Sequence, residues 1–219
     1  MSFNHALCCT NALFWMNYLA HIYLSGDTEE IILGNFIGDY VKGNKYQQYP
    51  ECIAYGIMLH RSIDSFTDQH RDVKSCIDLL KPDYGRYAGI VVDIFFDHFL
   101  AANWNQYSAY SLRDFAKRAH AVFLSNFRLL PFKVKQFLPF FIQHKRFESY
   151  AQINNIRQVL DIMSKRTSLP AKTDQAIHIL TEEYSLLESL FRSFFEEMIN
   201  YVESNHGIHI SKPSFKNEA

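Results

Sequence analysis

Turn residues are scarce in this sequence of 219 residues. It has eight glycines and six prolines, with no glycine between Gly89 and Gly207 and no proline between Pro82 and Pro131. Sandwiches, barrels and doubly wound folds need turns far more often. A glycine-rich phosphate loop is absent as well. Cysteine occurs only as Cys8, Cys9, Cys52 and Cys76. No C-x-x-C pair exists among them, which argues against a structural zinc cluster and suits a reducing cytoplasm. The formal net charge is −1, so a protein that coats nucleic acid is not expected. No Ser-His-Asp or Cys-His arrangement has recognisable local context.

The first 26 residues contain no Asp, Glu, Lys or Arg. A signal peptide would need a basic start and a small-residue cleavage site. A membrane span would need about 20 mostly apolar residues, and Asn4, Asn11, Asn17 and His21 interrupt this stretch. The expectation is a cytoplasmic protein with no membrane contact. Residues 1–15 read as an extension outside the domain, 16–204 as one helical domain and 205–219 as a polar, frayed tail.

What is present fits helices. Hydrophobic residues make up 48% and charged residues 21%, a globular balance. Apolar periodicity and punctuation predict helices near 17–25, 29–41, 86–104, 112–129, 131–143, 153–164 and 174–203. Another opens at Tyr49-Pro50-Glu51, with Pro50 in its first turn, and Pro82-Asp83-Tyr84-Gly85 reads as a turn. The fold class is all-α: a single, compact multi-helix domain.

Ionisable residues fall on the apolar stripes of these helices. Positions i, i+3, i+4 and i+7 share a helical face. One stripe holds Ile53, Ile57, His60 and Asp64, continued by Thr67 and Asp68. A second holds Ile90, Asp93, Ile94, Asp97, Ala101 and Trp104, with His98 at its edge. Ile32, Phe36 and Asp39 form a third, and His21 falls with Asn17 and Leu24. A buried carboxylate is costly unless it is paired or neutralised. Any one of these residues is as readily a helix cap, an ion-pair partner or a satisfied core histidine. Together they need a common partner, and a divalent cation is the simplest one. Carboxylate and imidazole without thiolate suit Mn²⁺, Fe²⁺ or Mg²⁺. Arg61 and Lys42 lie beside these acids and are candidates for holding an anionic substrate, phosphate first among them.

Charge is also segregated along the chain. From Arg113 to Phe147 there are eight basic residues and one acid, a balance of +7. From Asp174 to Glu203 there are seven acids and one base, a balance of −6. The two runs are either solvated faces that attract each other or, for the basic one, a dock for an acidic partner. Lys133, Lys135, Lys145 and Arg146 are the docking candidates.

These residues also carry a family pattern. The chain has Met16-Asn17-Tyr18-Leu19-Ala20-His21, then Gly34-Asn35-Phe36-Ile37-Gly38-Asp39-Tyr40-Val41-Lys42-Gly43. Leu59-His60-Arg61-Ser62-Ile63-Asp64-Ser65-Phe66-Thr67-Asp68 follows, and then the segment from Arg86 to Leu100 that includes Val92-Asp93-Ile94-Phe95-Phe96-Asp97-His98. In order and spacing these blocks resemble the acyl carrier protein phosphodiesterase family. The resemblance implies a helical fold that diverges from the HD-type metal hydrolases. It implies a cytoplasmic, Mn²⁺-dependent enzyme that cleaves the phosphodiester between 4′-phosphopantetheine and a serine of acyl carrier protein, an acidic partner. It implies a role in activity for Asp39 and in metal binding for His60, Asp64 and Asp97. Asp93 and His98 are further ligand candidates, and His21 or His98 is the candidate proton donor. The alternatives are a metal phosphohydrolase acting on a nucleotide or other small phosphoester, and a non-enzymatic helical protein that binds lipid or a partner.

Overall fold

The computed structural model describes residues 18–213, and every regular element among them is helical. Eleven α-helices follow in order: α1 (Tyr18–Tyr23), α2 (Glu29–Ile37), α3 (Glu51–Gln69), α4 (Arg71–Tyr84), α5 (Ala88–Ala102), α6 (Leu112–Ser125), α7 (Phe132–Gln143), α8 (Arg146–Ser149), α9 (Ile153–Arg166), α10 (Thr173–Glu182) and α11 (Tyr184–His206). Short 3₁₀ turns join several of them, including Gly38–Tyr40 directly after α2. The extension at residues 1–15 lies outside the described residues. No helix among the described residues is long and apolar enough to cross a membrane.

The stripes expected from periodicity face one shared core. Leu33, Phe36, Ile57, Leu59, Val91, Val92, Phe95 and Phe99 are all fully or almost fully buried there. Helices α2 and α3 make the closest crossing, and glycine makes it possible. A β-carbon on Gly34 would lie 2.1 Å from the Ile53 carbonyl oxygen and 2.9 Å from Gly56 Cα. One on Gly56 would lie 2.4 Å from the Ile31 carbonyl oxygen. The two backbones therefore touch with no side chain between them. This contact sets the distance between Asn35 on α2 and His60 on α3.

Some boundaries differ from the pattern for physical reasons. The expected turn at Pro82–Gly85 is the last turn of α4, which runs through Pro82 and delivers Tyr84 to the core. The chain turns only at Gly85, where φ is +52°. Pro50 caps α3 rather than sitting in its first turn. The stretch 174–203 is two helices that divide at Glu183. The break lets Tyr184 turn inward against Phe99, ring centroids 5.1 Å apart. The tail expected to be frayed is described only as far as residue 213, and that part is not frayed. Ile208 and Ile210 are buried, and Ile208 packs on the backbone of Gly26.

Replacing Gly34 with alanine forces a steric conflict into the α2–α3 crossing. Overpacking of this kind costs roughly 1–3 kcal/mol or more. A clear fall in melting temperature is expected for Gly34→Ala, whereas Gly43→Ala, a position with open space around it, is expected to show only the smaller strain of its positive φ. Circular dichroism melts of the two variants check the order.

Candidate metal centre

Four helical segments bring the candidate residues together. The single turn of α1 contributes His21, α2 contributes Asn35, the 3₁₀ turn after it contributes Asp39, and α3 contributes His60 and Asp64. The two imidazoles stack, with ring centroids 4.1 Å apart and planes inclined by 24°. His60 lies against the backbone of Gly38, where a β-carbon would sit 2.3 Å from the imidazole Cγ. That is the reason only glycine fits in this part of the 3₁₀ turn.

At the Nδ1 edge of both rings sits Asn35, fully buried. Its Nδ2 donates to the His21 carbonyl at 2.8 Å and to Ser25 Oγ at 2.9 Å. A carbonyl only accepts, so the amide has one possible orientation. Its Oδ1 then faces Nδ1 of His21 at 2.9 Å and Nδ1 of His60 at 3.2 Å. An amide oxygen only accepts as well, so both histidines carry their proton on Nδ1. Each Nε2 is thereby turned to the same carboxylate. His21 Nε2 lies 3.3 Å from Asp64 Oδ1, and His60 Nε2 lies 3.3 Å from Asp64 Oδ2 and 3.5 Å from Asp39 Oδ1. His21, His60 and Asp64 each offer a ligand atom, and these atoms lie within 4.8 Å of one another.

The cluster opens onto a pocket of about 200 Å³. Tyr18, His21, Asp39, Asp64, Thr67, Asp68 and Asp93 line it. Burial pushes the carboxyls of Asp39 and Asp64 up, but the neighbouring histidines outweigh burial and hold both below the usual range. Burial also pushes His21 down, while its contact with Asp64 outweighs that and leaves it raised. These groups form one coupled charge cluster.

The remaining candidates divide. Asp93 lines the pocket, as does Asp68 at the end of the α3 stripe. Asp97 is fully buried, but its two oxygens accept from the backbone N–H groups of Leu19 and Ala20, 3.3 and 3.1 Å away. It holds the start of α1, and so the backbone leading to His21. Burial raises its carboxyl to about 7, even with those two amide donors pulling the other way. His98 is turned away from the cluster: Nδ1 bonds the Tyr150 carbonyl at 2.8 Å and Nε2 the Tyr184 hydroxyl at 3.2 Å. It is not brought to the site. Lys42 is exposed, with Nζ 3.8 Å from Asp39 Oδ1. Arg61 donates to the carbonyls of Val41 and Gly43, both at 2.7 Å, and so braces the loop that carries Lys42. Asn35 was given no role by the spacing. Its one sequence signal is an amide inside an otherwise apolar helix, Ile31-Ile32-Leu33-Gly34-Asn35-Phe36-Ile37.

A family model for acyl carrier protein phosphodiesterase matches residues 16–198. The chain belongs to this family. An acyl carrier protein phosphodiesterase of Yersinia enterocolitica is 33% identical over 189 residues, covering 86% of this chain and 98% of the relative. Those of Yersinia pestis and Serratia proteamaculans are each 32% identical, with similar coverage. No solved structure matches the chain, and the likeness to the HD-type hydrolases remains an expectation from the sequence. The acyl carrier protein phosphodiesterase family is thus represented here by an all-helical domain, with three of the five Asp and His residues that line its pocket, Asp39, Asp64 and Asp68, drawn from the blocks quoted above as 34–43 and 59–68.

Replacing Asn35 with leucine strands the Ser25 hydroxyl network and both imidazole Nδ1–H groups. Each buried polar group left without a partner costs about 1–3 kcal/mol. In ¹⁵N spectra of histidine-labelled protein, His21 and His60 of the wild type are expected as Nδ1–H species. Asn35→Leu is expected to lose that signature and to melt earlier. A wild-type spectrum showing Nδ1 unprotonated in either ring would overturn the assignment.

Proposed function

We propose that this chain is a metal-dependent phosphodiesterase that hydrolyses the bond between 4′-phosphopantetheine and the serine of acyl carrier protein. The products are apo-carrier protein and 4′-phosphopantetheine. Membership of the family supports the substrate and the reaction. The observation that carries the metal is His60 Nε2. It is buried and makes no hydrogen bond, although carboxylate oxygens lie 3.3 and 3.5 Å away. Asn35 keeps the proton on the other ring nitrogen, so a neutral His60 points a bare lone pair at Asp64 and Asp39, as a neutral His21 does at Asp64. A lone pair facing a carboxylate repels it unless a proton or a metal ion stands between them, and His60 Nε2 makes no such hydrogen bond. The donor set therefore fits a divalent ion, and two imidazoles with oxygen ligands suit Mn²⁺, with Mg²⁺ or Fe²⁺ as alternatives.

His21, His60 and Asp64 would hold that ion, with Asp39 beside them. When bound, it supplies a water of lowered pKa and a Lewis-acidic contact for a phosphoryl oxygen. Asp39 stays ionised at neutral pH and accepts a hydrogen bond from the attacking water, which orients it. Lys42, at the mouth beside Asp39, steadies the negative charge on the phosphoryl oxygens. Arg61 acts through the backbone of residues 41–43, by holding Lys42 in place. The water oxygen gives up a proton and bonds to phosphorus, the bond from phosphorus to the serine oxygen breaks, and that oxygen takes up a proton, so that one water is added across the P–O bond. His21 is engaged by Asn35 and Asp64 and serves as a ligand rather than as the proton donor. Asp97 holds α1 rather than the ion.

The test is incubation of the purified protein with holo-acyl carrier protein, read by intact mass. With Mn²⁺ the carrier is expected to lose the phosphopantetheine mass. EDTA is expected to stop the reaction, and Asp39→Ala to slow it by about a hundredfold or more, as expected for a group that orients the nucleophile. Mn²⁺ is also expected to raise the melting temperature of the wild type but not of His60→Ala. Mn²⁺ binding with no mass loss from the carrier would sink the substrate and leave the metal centre standing.

A further inference from the structure

Helix α7 has two unlike faces. Val134, Phe137, Leu138 and Phe141 are buried. At 100° per residue, Phe132 and Phe140 point the other way, where they are 73% and 63% exposed. Lys133 and Lys135 flank them. The exposed Phe127, on the turn before α7, lies under the Lys135 ammonium, 5.7 Å from the ring centroid. Lys135 also donates to the Arg128 carbonyl at 2.9 Å, so turn and helix form one surface. Residues 115–147 contain seven Lys or Arg and no Asp or Glu. A solvated helix face has no need of large bare aromatic rings, and rings set among like-signed charges mark a contact surface.

The inner side of the same helix packs on the pocket. Phe137 lies 5.8 Å from the Tyr40 ring and Phe141 lies 5.5 Å from the Tyr18 ring, centroid to centroid. Tyr18 lines the pocket and bonds Tyr40 through their hydroxyls at 3.0 Å. One helix thickness, about 10 Å, separates the exposed face from the pocket wall.

We propose that the outer face of α7, anchored by Phe132 and Phe140 and flanked by Lys133 and Lys135, is the docking surface for the acidic carrier protein. This rests on the function proposed above. The scissile phosphodiester is at the serine, on the carrier's own surface, and not at the far end of the pantetheine arm. The body of the carrier must therefore touch the enzyme close to the pocket mouth. The α7 face lies about one helix thickness from the pocket wall at Tyr18, and its basic charge is opposite to that of an acidic carrier. Aromatic side chains supply contact area at little entropic cost, and the lysines raise the rate of encounter. Arg146, expected from the sequence to share in docking, is only 8% exposed and is part of the interior. Its burial removes it from the surface.

Two double variants test the proposal, Phe132→Ala with Phe140→Ala and Lys133→Glu with Lys135→Glu. Phe132, Lys133 and Phe140 are exposed, so the phenylalanine pair is expected to melt near the wild type; Lys135 is half-buried, and the lysine pair, which also loses its bond to the Arg128 carbonyl, is expected to melt somewhat earlier but to stay folded. With Mn²⁺ and holo-carrier protein, each double variant is expected to raise KM roughly tenfold and to leave kcat within about twofold. High salt is expected to raise KM of the wild type and to have less effect on the lysine variant. Folded variants with a wild-type KM overturn the proposal while the function stands. A loss of co-sedimentation with phosphatidylglycerol-rich vesicles, at unchanged KM, assigns the face to a lipid surface and also overturns it. A wild type that binds Mn²⁺ but leaves the carrier intact overturns the function, and the docking surface with it.

Discussion

The Asn35 amide is the interaction on which the site depends. Its nitrogen is committed to the His21 carbonyl and the Ser25 hydroxyl, and its oxygen is left to receive two imidazole N–H groups at once. One side chain thus decides the protonation of two histidines on different helices. Without it each ring could turn over or change tautomer, and the two Nε2 atoms would no longer meet at Asp64. Outer partners of this kind fix the ring orientation of metal-binding histidines in general. Here a single amide does so for both rings.

That amide works only because α2 and α3 lie in backbone contact. Gly34 and Gly56 let the helices close, and Gly38 leaves room for the His60 ring. Asp97 completes the frame from α5 by accepting the first amides of α1. The one-turn helix that carries His21 makes no long backbone ladder of its own, so this carboxyl contact and the His21–Ser25–Asn35 network hold it. Packing and polar chemistry are therefore the same problem in this half of the molecule: the glycines set distances that the hydrogen bonds then use.

The sequence made much of this legible. The helical class follows from scarce turns and apolar periodicity. The His60–Asp64 pair follows from a spacing of one helical turn. Periodicity places a residue on the inner face but does not say what it meets there. Asp97 and Asp93 share a stripe, yet one bonds backbone amides and the other lines the pocket. His98 follows Asp97 directly and is turned by about 100° to a different set of partners. Arg146 belongs to a basic run by composition and to the interior by packing. Asn35 is uncharged, so no argument from buried charge could find it. Its role exists only once α1, α2 and α3 have been assembled.

In the proposed site the pocket's electrostatics would tie metal and substrate together. Asp39, Asp64, Asp68 and Asp93 line a space of about 200 Å³. A phosphodiester is itself an anion. Among these carboxylates it would meet repulsion that Lys42 alone, exposed at the rim, would not offset, because an exposed charge is well screened. The site as proposed therefore admits its substrate only after a cation has changed the sign of the local field. The reverse also holds. An anion bound beside the ion lowers the cost of placing positive charge there, and linkage requires the two affinities to rise together. In the proposed site, the acids that would exclude the substrate from an empty pocket are thus the reason that metal and substrate would bind as a pair.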